Sequence, residues 1–185
     1  MPAPSTSPLS RRLSFGTALL LALTACEGKP RESAPDPAVA PASSFPPAPI
    51  FVGRTLDGEP FELAAYRGQV VLLNVWATWC QPCRKEMPEL QALHARHRDR
   101  GFTVIGVSVD AARLAAEVRR MVGEYGLTYP NVHDARNSIG GAFKIVGYPT
   151  TFLIDRHGGL AWRKDGMLEP DDPELARAIA DALAG

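Results

Sequence analysis

Val70-Val-Leu-Leu-Asn-Val-Trp-Ala-Thr-Trp-Cys-Gln-Pro-Cys83 runs from a nearly continuous apolar segment into two cysteines separated by two residues. The apolar part, Val70–Trp76, lacks polar alternation, which marks a strand covered on both faces and so a central one in its sheet. Residues 82–98 then read as a helix, with Met87, Leu90 and Leu93 on one stripe and basic residues opposite. The cysteine pair therefore stands where a buried strand passes into a helix N-terminus. Unpaired N–H groups and the positive end of the helix dipole stabilise a thiolate there, and can bring a cysteine from about 8.5 to roughly 7 or below. Cys80, at the very end, gains most and is read as the nucleophile. Cys83, one turn inward and more buried, is placed to attack a mixed disulfide on Cys80 and release the substrate. Pro82 suits a first helical turn, which tolerates its fixed φ and missing donor.

Other uses of two spaced cysteines are narrowed by their neighbours. Arg84, not His, follows Cys83, which excludes haem attachment, and no second Cys-x-x-Cys is present for a four-thiolate zinc site. Zinc shared with histidines stays formally open, because His94, His97, His133 and His157 are available. His94 and His97 read as a solvated helix face beside Arg96 and Arg98, His157 as a turn residue, and His133 as surface or loop packing with a ligand role as the lesser alternative. Thr78 stands in no Pro-x-x-x-Thr-x-x-Cys frame, which weighs against a peroxidase.

Outward from this centre the chain alternates. Phe61–Leu63 is a short strand, Thr103–Val109 a second buried strand, and Asp110 a plausible N-cap for the helix after it. Leu114, Val118, Met121, Val122 and Tyr125 form that helix's packing face, and Gly126 is its terminator. A short helix over 137–143, a strand over Thr150–Ile154, a turn at 156–159 and a strand over Ala161–Lys164 follow; so short a link requires antiparallel pairing. Asp171 or Asp172 caps a last helix lined by Leu175, Ile179, Ala182 and Leu183. The sum is α/β: one domain, residues 50–185, with a mixed central sheet flanked by helices.

With strand, motif and helix in hand, the chain resembles the TlpA/ResA/CcmG-like branch of the thioredoxin superfamily from about Phe45 to Ala184. Asn74–Leu90 matches that branch's active-site signature nearly throughout, and Gly147-Tyr-Pro-Thr150 matches the superfamily's second landmark, a loop with a cis proline. The resemblance implies a thioredoxin-like fold in which Pro149 packs against the cysteine pair and helps keep metals off it. It also implies that the backbone of Tyr148 is free to pair with an extended substrate segment. Trp79 covers the thiol and offers substrate an apolar contact, whereas Trp76 belongs to the core. Pro88 is the helix-kinking proline of the family. Thioredoxin has a buried Asp where this chain has Asn74, which cannot accept a proton. Glu86 is the candidate for that role, tuning the thiols and relaying a proton to or from Cys83; the plainer reading is a solvated helix acid.

The first 25 residues resemble a bacterial lipoprotein signal: Arg11 and Arg12, a short apolar run from Phe15 to Leu23, and a lipobox, Leu23-Thr-Ala-Cys26, ending on the cysteine to be lipidated. Residues 26–49 follow as a Pro/Ala-rich tether, with seven prolines between 27 and 49; polyproline II could carry it about 70 Å. The apolar run is too short to span a bilayer; the lipobox resemblance implies that the lipid bilayer is engaged through a lipidated Cys26. Twenty basic against twenty acidic residues give zero formal charge, which suggests no nucleic-acid partner.

The expected function is a thiol–disulfide oxidoreductase anchored at the periplasmic face of a bacterial membrane. It exchanges two electrons with a protein disulfide and needs no cofactor besides the Cys80–Cys83 disulfide and no metal. The resemblance points to a specialised reductant for an apocytochrome or a copper-site protein, reloaded by a membrane thiol reductant. The rivals are a copper(I) chaperone on the same thiolates, with His133 as a candidate further ligand, and a disulfide-forming oxidant.

Overall fold

The computed structural model of the chain describes residues 43–185; the signal, Cys26 and the tether up to residue 42 lie outside them. β3 (Val70–Trp76) is the middle of a five-stranded sheet. On one side it pairs in parallel with β4 (Phe102–Ser108), which pairs in parallel with β5 (Asn131–His133). On the other side it pairs antiparallel with β6 (Thr150–Ile154), which pairs antiparallel with β7 (Leu160–Asp165). The order is β5-β4-β3-β6-β7, the mixed sheet the sequence implies.

Parallel neighbours require a crossover. α1 (Gln81–His97) provides it between β3 and β4, and α2 (Ala115–Glu124) between β4 and β5. α3 (Ser138–Ala142) precedes β6, and α4 (Pro173–Ala184) closes the chain. Outside this sheet, β1 (Val52–Arg54) and β2 (Pro60–Glu62) form a two-stranded ribbon. Among the described residues no helix is long and apolar enough to cross a membrane.

Every residue of β3 and β4 is buried. The two-residue period of a strand divides β3 between two cores. Val70, Leu72 and Trp76 pack with Met87 and Leu90 of α1, Val118 of α2 and Ile179 of α4. Val71, Leu73 and Val75 pack with Phe51, Phe61, Ile105, Ile139 and Phe152. Asn74 has the parity of Leu72 and Trp76, so its side chain points toward α1.

Several local expectations change. Asp110 caps no helix: a 3-10 turn over Ala112–Leu114 intervenes before α2, which has no side-chain cap. Asp110 is drawn instead toward donors on the neighbouring strand end. Of the two candidate caps for α4, Asp172 accepts from Glu174 N (3.0 Å) and Leu175 N (3.1 Å). Gly126 does end α2, with φ +59°. Residues 43–49, counted with the tether by composition, lie against the domain. Leu160 N donates to Pro46 O (2.8 Å), Ala48 N donates to Gly158 O (2.9 Å), and the Ser43 hydroxyl bonds the Asp155 carboxylate. Backbone pairing with the β6–β7 turn holds them there, which proline content alone does not reveal.

His94 and His97 are not on a solvated face. His94 stacks edge-on against Tyr129 and accepts from Val104 N at 3.4 Å; His97 stacks edge-on against Phe102, its Nδ1 without a partner among the described residues. Burial, reinforced by neighbouring arginines, lowers both rings below their ordinary value of 6.5. The unfolded chain then binds these protons first, so stability present above about pH 6.5 is lost as pH falls through the folded values. Replacing His97 with Phe should therefore give a melting-temperature advantage over the parent that widens below pH 6.5; a pH-independent difference would contradict this.

Candidate active site

Cys80 and Cys83 form a disulfide, with their Cα atoms 5.3 Å apart. Cys80 is the N-cap of α1 and its sulfur accepts from Cys83 N at 3.2 Å, with proline in the first turn. Cys83 is the more buried of the two, at 1% against 5% exposure, as expected for an attacking residue and a resolving one. The helix continues through Pro88, whose ring nitrogen cannot donate to the preceding turn.

The Tyr148–Pro149 bond is cis. Pro149 and Tyr148, with Gln81, Pro82, Lys85, Gly166 and Met167, line an open depression of about 310 Å³ beside the disulfide. Trp79 is 65% exposed and meets Tyr148 edge-on, ring centres 5.9 Å apart; Val146, two residues before Tyr148, is 91% exposed. Trp76 is core. No hydrogen bond among the described residues engages the Tyr148 backbone.

Glu86 is the feature the sequence undersold. It is 1% exposed and lies on the same stripe as Cys83, Met87, Leu90 and Leu93, so the solvated-acid reading fails. One carboxylate oxygen accepts from Asn74 Nδ2 at 2.7 Å and the other from Leu168 N at 2.7 Å. Asn74 Nδ2 also donates to Thr151 Oγ1 at 3.0 Å. Burial pushes the Glu86 carboxyl up from 4.5 to about 7 against the opposing pull of Leu168 N–H, Asn74 and the Lys164 charge. Burial, with the Glu86 charge adding to it, also raises the Tyr129 phenol.

A second buried network holds the turn into α1. Asp110, wholly buried, accepts from Thr78 N (2.9 Å), Thr78 Oγ1 (2.6 Å) and Ser108 Oγ (2.8 Å). Cys80 N donates to Ala77 O at 3.1 Å across the same turn. His133 is tied to the Asp110 carbonyl through Nε2 at 2.8 Å, which commits that nitrogen to the fold. Among the described residues no three of His, Cys, Asp and Glu gather closely enough to hold a metal ion.

Asn74, Thr151, Asp110 and Leu168 were thus missing from the sequence-derived site. The first could have been found: strand parity aims Asn74 at α1, and helical spacing puts Glu86 on the buried stripe. Leu168, in a loop without periodicity, gave no such signal.

Comparison with known proteins agrees with this geometry. Residues 46–163 match the AhpC/TSA family. The chain is 35% identical over 167 residues to the thiol-disulfide oxidoreductase ResA of Geobacillus kaustophilus, covering 89% of this chain and 93% of that one. It is 39% identical over 111 residues to the protein of the same name from Bacillus thuringiensis, covering 60% and 63%. A crystal structure from Chlorobium tepidum, provisionally named thiol:disulfide interchange protein DsbE, superposes with a TM-score of 0.70 at 28% identity, over 77% of this chain and 99% of that one.

Proposed function

The chain belongs to the AhpC/TSA family of the thioredoxin superfamily and is a thiol–disulfide oxidoreductase, and we propose that it works as a reductant in the bacterial envelope. The observation that carries this reading is the Cys80–Cys83 disulfide at the mouth of α1, set between a rim of exposed Trp79 and half-buried Tyr148 and a buried Glu86.

In the reducing direction the Cys80 thiolate attacks one sulfur of a substrate disulfide. The substrate S–S bond breaks, one substrate cysteine leaves as a thiolate and takes a proton, and a mixed disulfide remains. Cys83 then gives up its proton, with Glu86 as the acceptor one turn along α1, and attacks Cys80. The second substrate thiolate leaves and the Cys80–Cys83 disulfide forms. The substrate has gained two electrons. Tyr148 offers its backbone, and Trp79 its ring, to the segment that carries the substrate cysteines.

The substrate is a protein disulfide such as that of an apocytochrome or a copper-site protein, and a membrane thiol reductant returns the electrons. Cys26, lipidated, holds the protein at the periplasmic face. Support for these finer assignments is the motif from Asn74 to Leu90 together with the lipobox-like Leu23–Cys26.

Direction is tested by the reduction potential of the pair, equilibrated against glutathione. A value near that of thioredoxin, about −270 mV, is expected; one near DsbA, about −120 mV, would make the protein an oxidant. The gap corresponds to roughly five powers of ten in the exchange equilibrium.

A further inference from the structure

Both oxygens of Glu86 face N–H donors, an arrangement made for a charged carboxylate. A proton taken up by Glu86 needs an acceptor, and the Leu168 amide cannot become one. A side-chain amide can, because its oxygen and NH₂ exchange places by half a turn about the terminal torsion with little change in shape. The Thr151 hydroxyl is equally adaptable, since it can donate or accept.

We propose that the Asn74 amide turns over with the protonation of Glu86, donating Nδ2–H to the carboxylate and, once turned, accepting the acid's proton at Oδ1. This rests on the reading of Glu86 as the group that exchanges a proton with Cys83. In the charged state Nδ2 donates to Glu86 and to Thr151, as in the structure. In the neutral state Oδ1 takes the same place and accepts from the Glu86 O–H and the Thr151 O–H. The proton lost by the Cys83 thiol is the one gained by Glu86, and the Glu86–Asn74 and Asn74–Thr151 hydrogen bonds are both kept, with donor and acceptor exchanged.

Keeping both bonds explains why an amide at position 74 suits a buried acid that must exist in two states; an unmatched proton on Glu86 would cost more than a made hydrogen bond contributes. Position 74 is fixed for this purpose: Asn74 lies opposite Thr151 in the β3–β6 register, and all three side chains are buried. The other groups facing Glu86 do not offer the exchange. Lys164 on β7 brings a fixed positive charge and is paired with Asp172, Tyr129 ahead of β5 contributes a phenol, and α1 brings Cys83 and Cys80. Asn74 is thus a positioning residue and not a catalytic one.

The experiment is nuclear magnetic resonance on the oxidised parent protein, following the Glu86 carboxyl carbon and the Asn74 side-chain amide through neutral pH. The Asn74 NH₂ resonances should titrate with the Glu86 midpoint, and their Overhauser contacts to Thr151 should weaken on the acid side. In Glu86→Gln the Asn74 signals should stay flat. If Glu86 titrates near neutrality while the Asn74 contacts persist unchanged, the turnover is wrong and the role of Glu86 stands. If Glu86 does not titrate near neutrality, that role falls, and the turnover falls with it.

Discussion

With Cys83 replaced by serine, reduced protein lacking a free Cys26 thiol should react with dithionitrobenzoate to release one equivalent of thionitrobenzoate and stop, leaving Cys80 capped. The parent should release a second equivalent as Cys83 attacks Cys80 and closes the disulfide. The difference arises because Cys83 sits one turn along α1 and attacks from within the molecule. Intramolecular attack of this kind carries effective concentrations far above any external thiol, so turnover of insulin disulfides should fall by about 10³-fold or more. Serine at position 83 preserves the shape of a side chain that is 1% exposed, and circular dichroism would verify the fold. The same variant should hold a protein disulfide substrate as an adduct cleaved by dithiothreitol. Release of a second equivalent from the variant would refute the assignment of Cys83 as the resolving thiol.

Replacing Asp110 with alanine should destabilise the domain by about 3 kcal/mol, because the Thr78 amide loses its buried acceptor and cannot turn elsewhere, while the Thr78 and Ser108 hydroxyls must find other partners. For a domain of this size that corresponds to a drop of roughly 10 °C in melting temperature. Asp110→Asn retains one oxygen acceptor and should lose about half as much. The effect should also reach the chemistry, since Thr78 lies two residues before Cys80 and the turn between them carries the nucleophile. Slower alkylation of the reduced Cys80 is expected in both variants. A loss of less than about 1 kcal/mol in Asp110→Ala would show that the turn holds without this carboxyl.

The parts of the molecule written as periodic patterns were readable from sequence. A nearly continuous apolar run placed β3 at the sheet centre, the helical stripe placed α1, and the two cysteines fell at their junction. Asp110 shows where such reading stops. A lone Asp after a strand is a good cap by local preference, but two of the three donors it serves lie on Thr78, 32 positions earlier in the chain, and nothing local announces those two. Glu86 was found as a candidate through the family signature; what kept it ambiguous was the general expectation that helix acids face water, which the stripe it shares with Met87 and Leu90 contradicts. His94 and His97 were misjudged for a related reason. Flanking arginines made the face look polar, while the rings themselves lean onto Tyr129 and Phe102.

Ser43–Pro49 joins the domain at the β6–β7 turn, beside the Val71 end of β3, whereas Cys80 follows the Trp76 end. The length of that strand, about 20 Å, separates the point where the chain is gripped from the sulfur that reacts. A label or solid support attached at Ser43 would therefore sit at the far end of the sheet from the reactive sulfur.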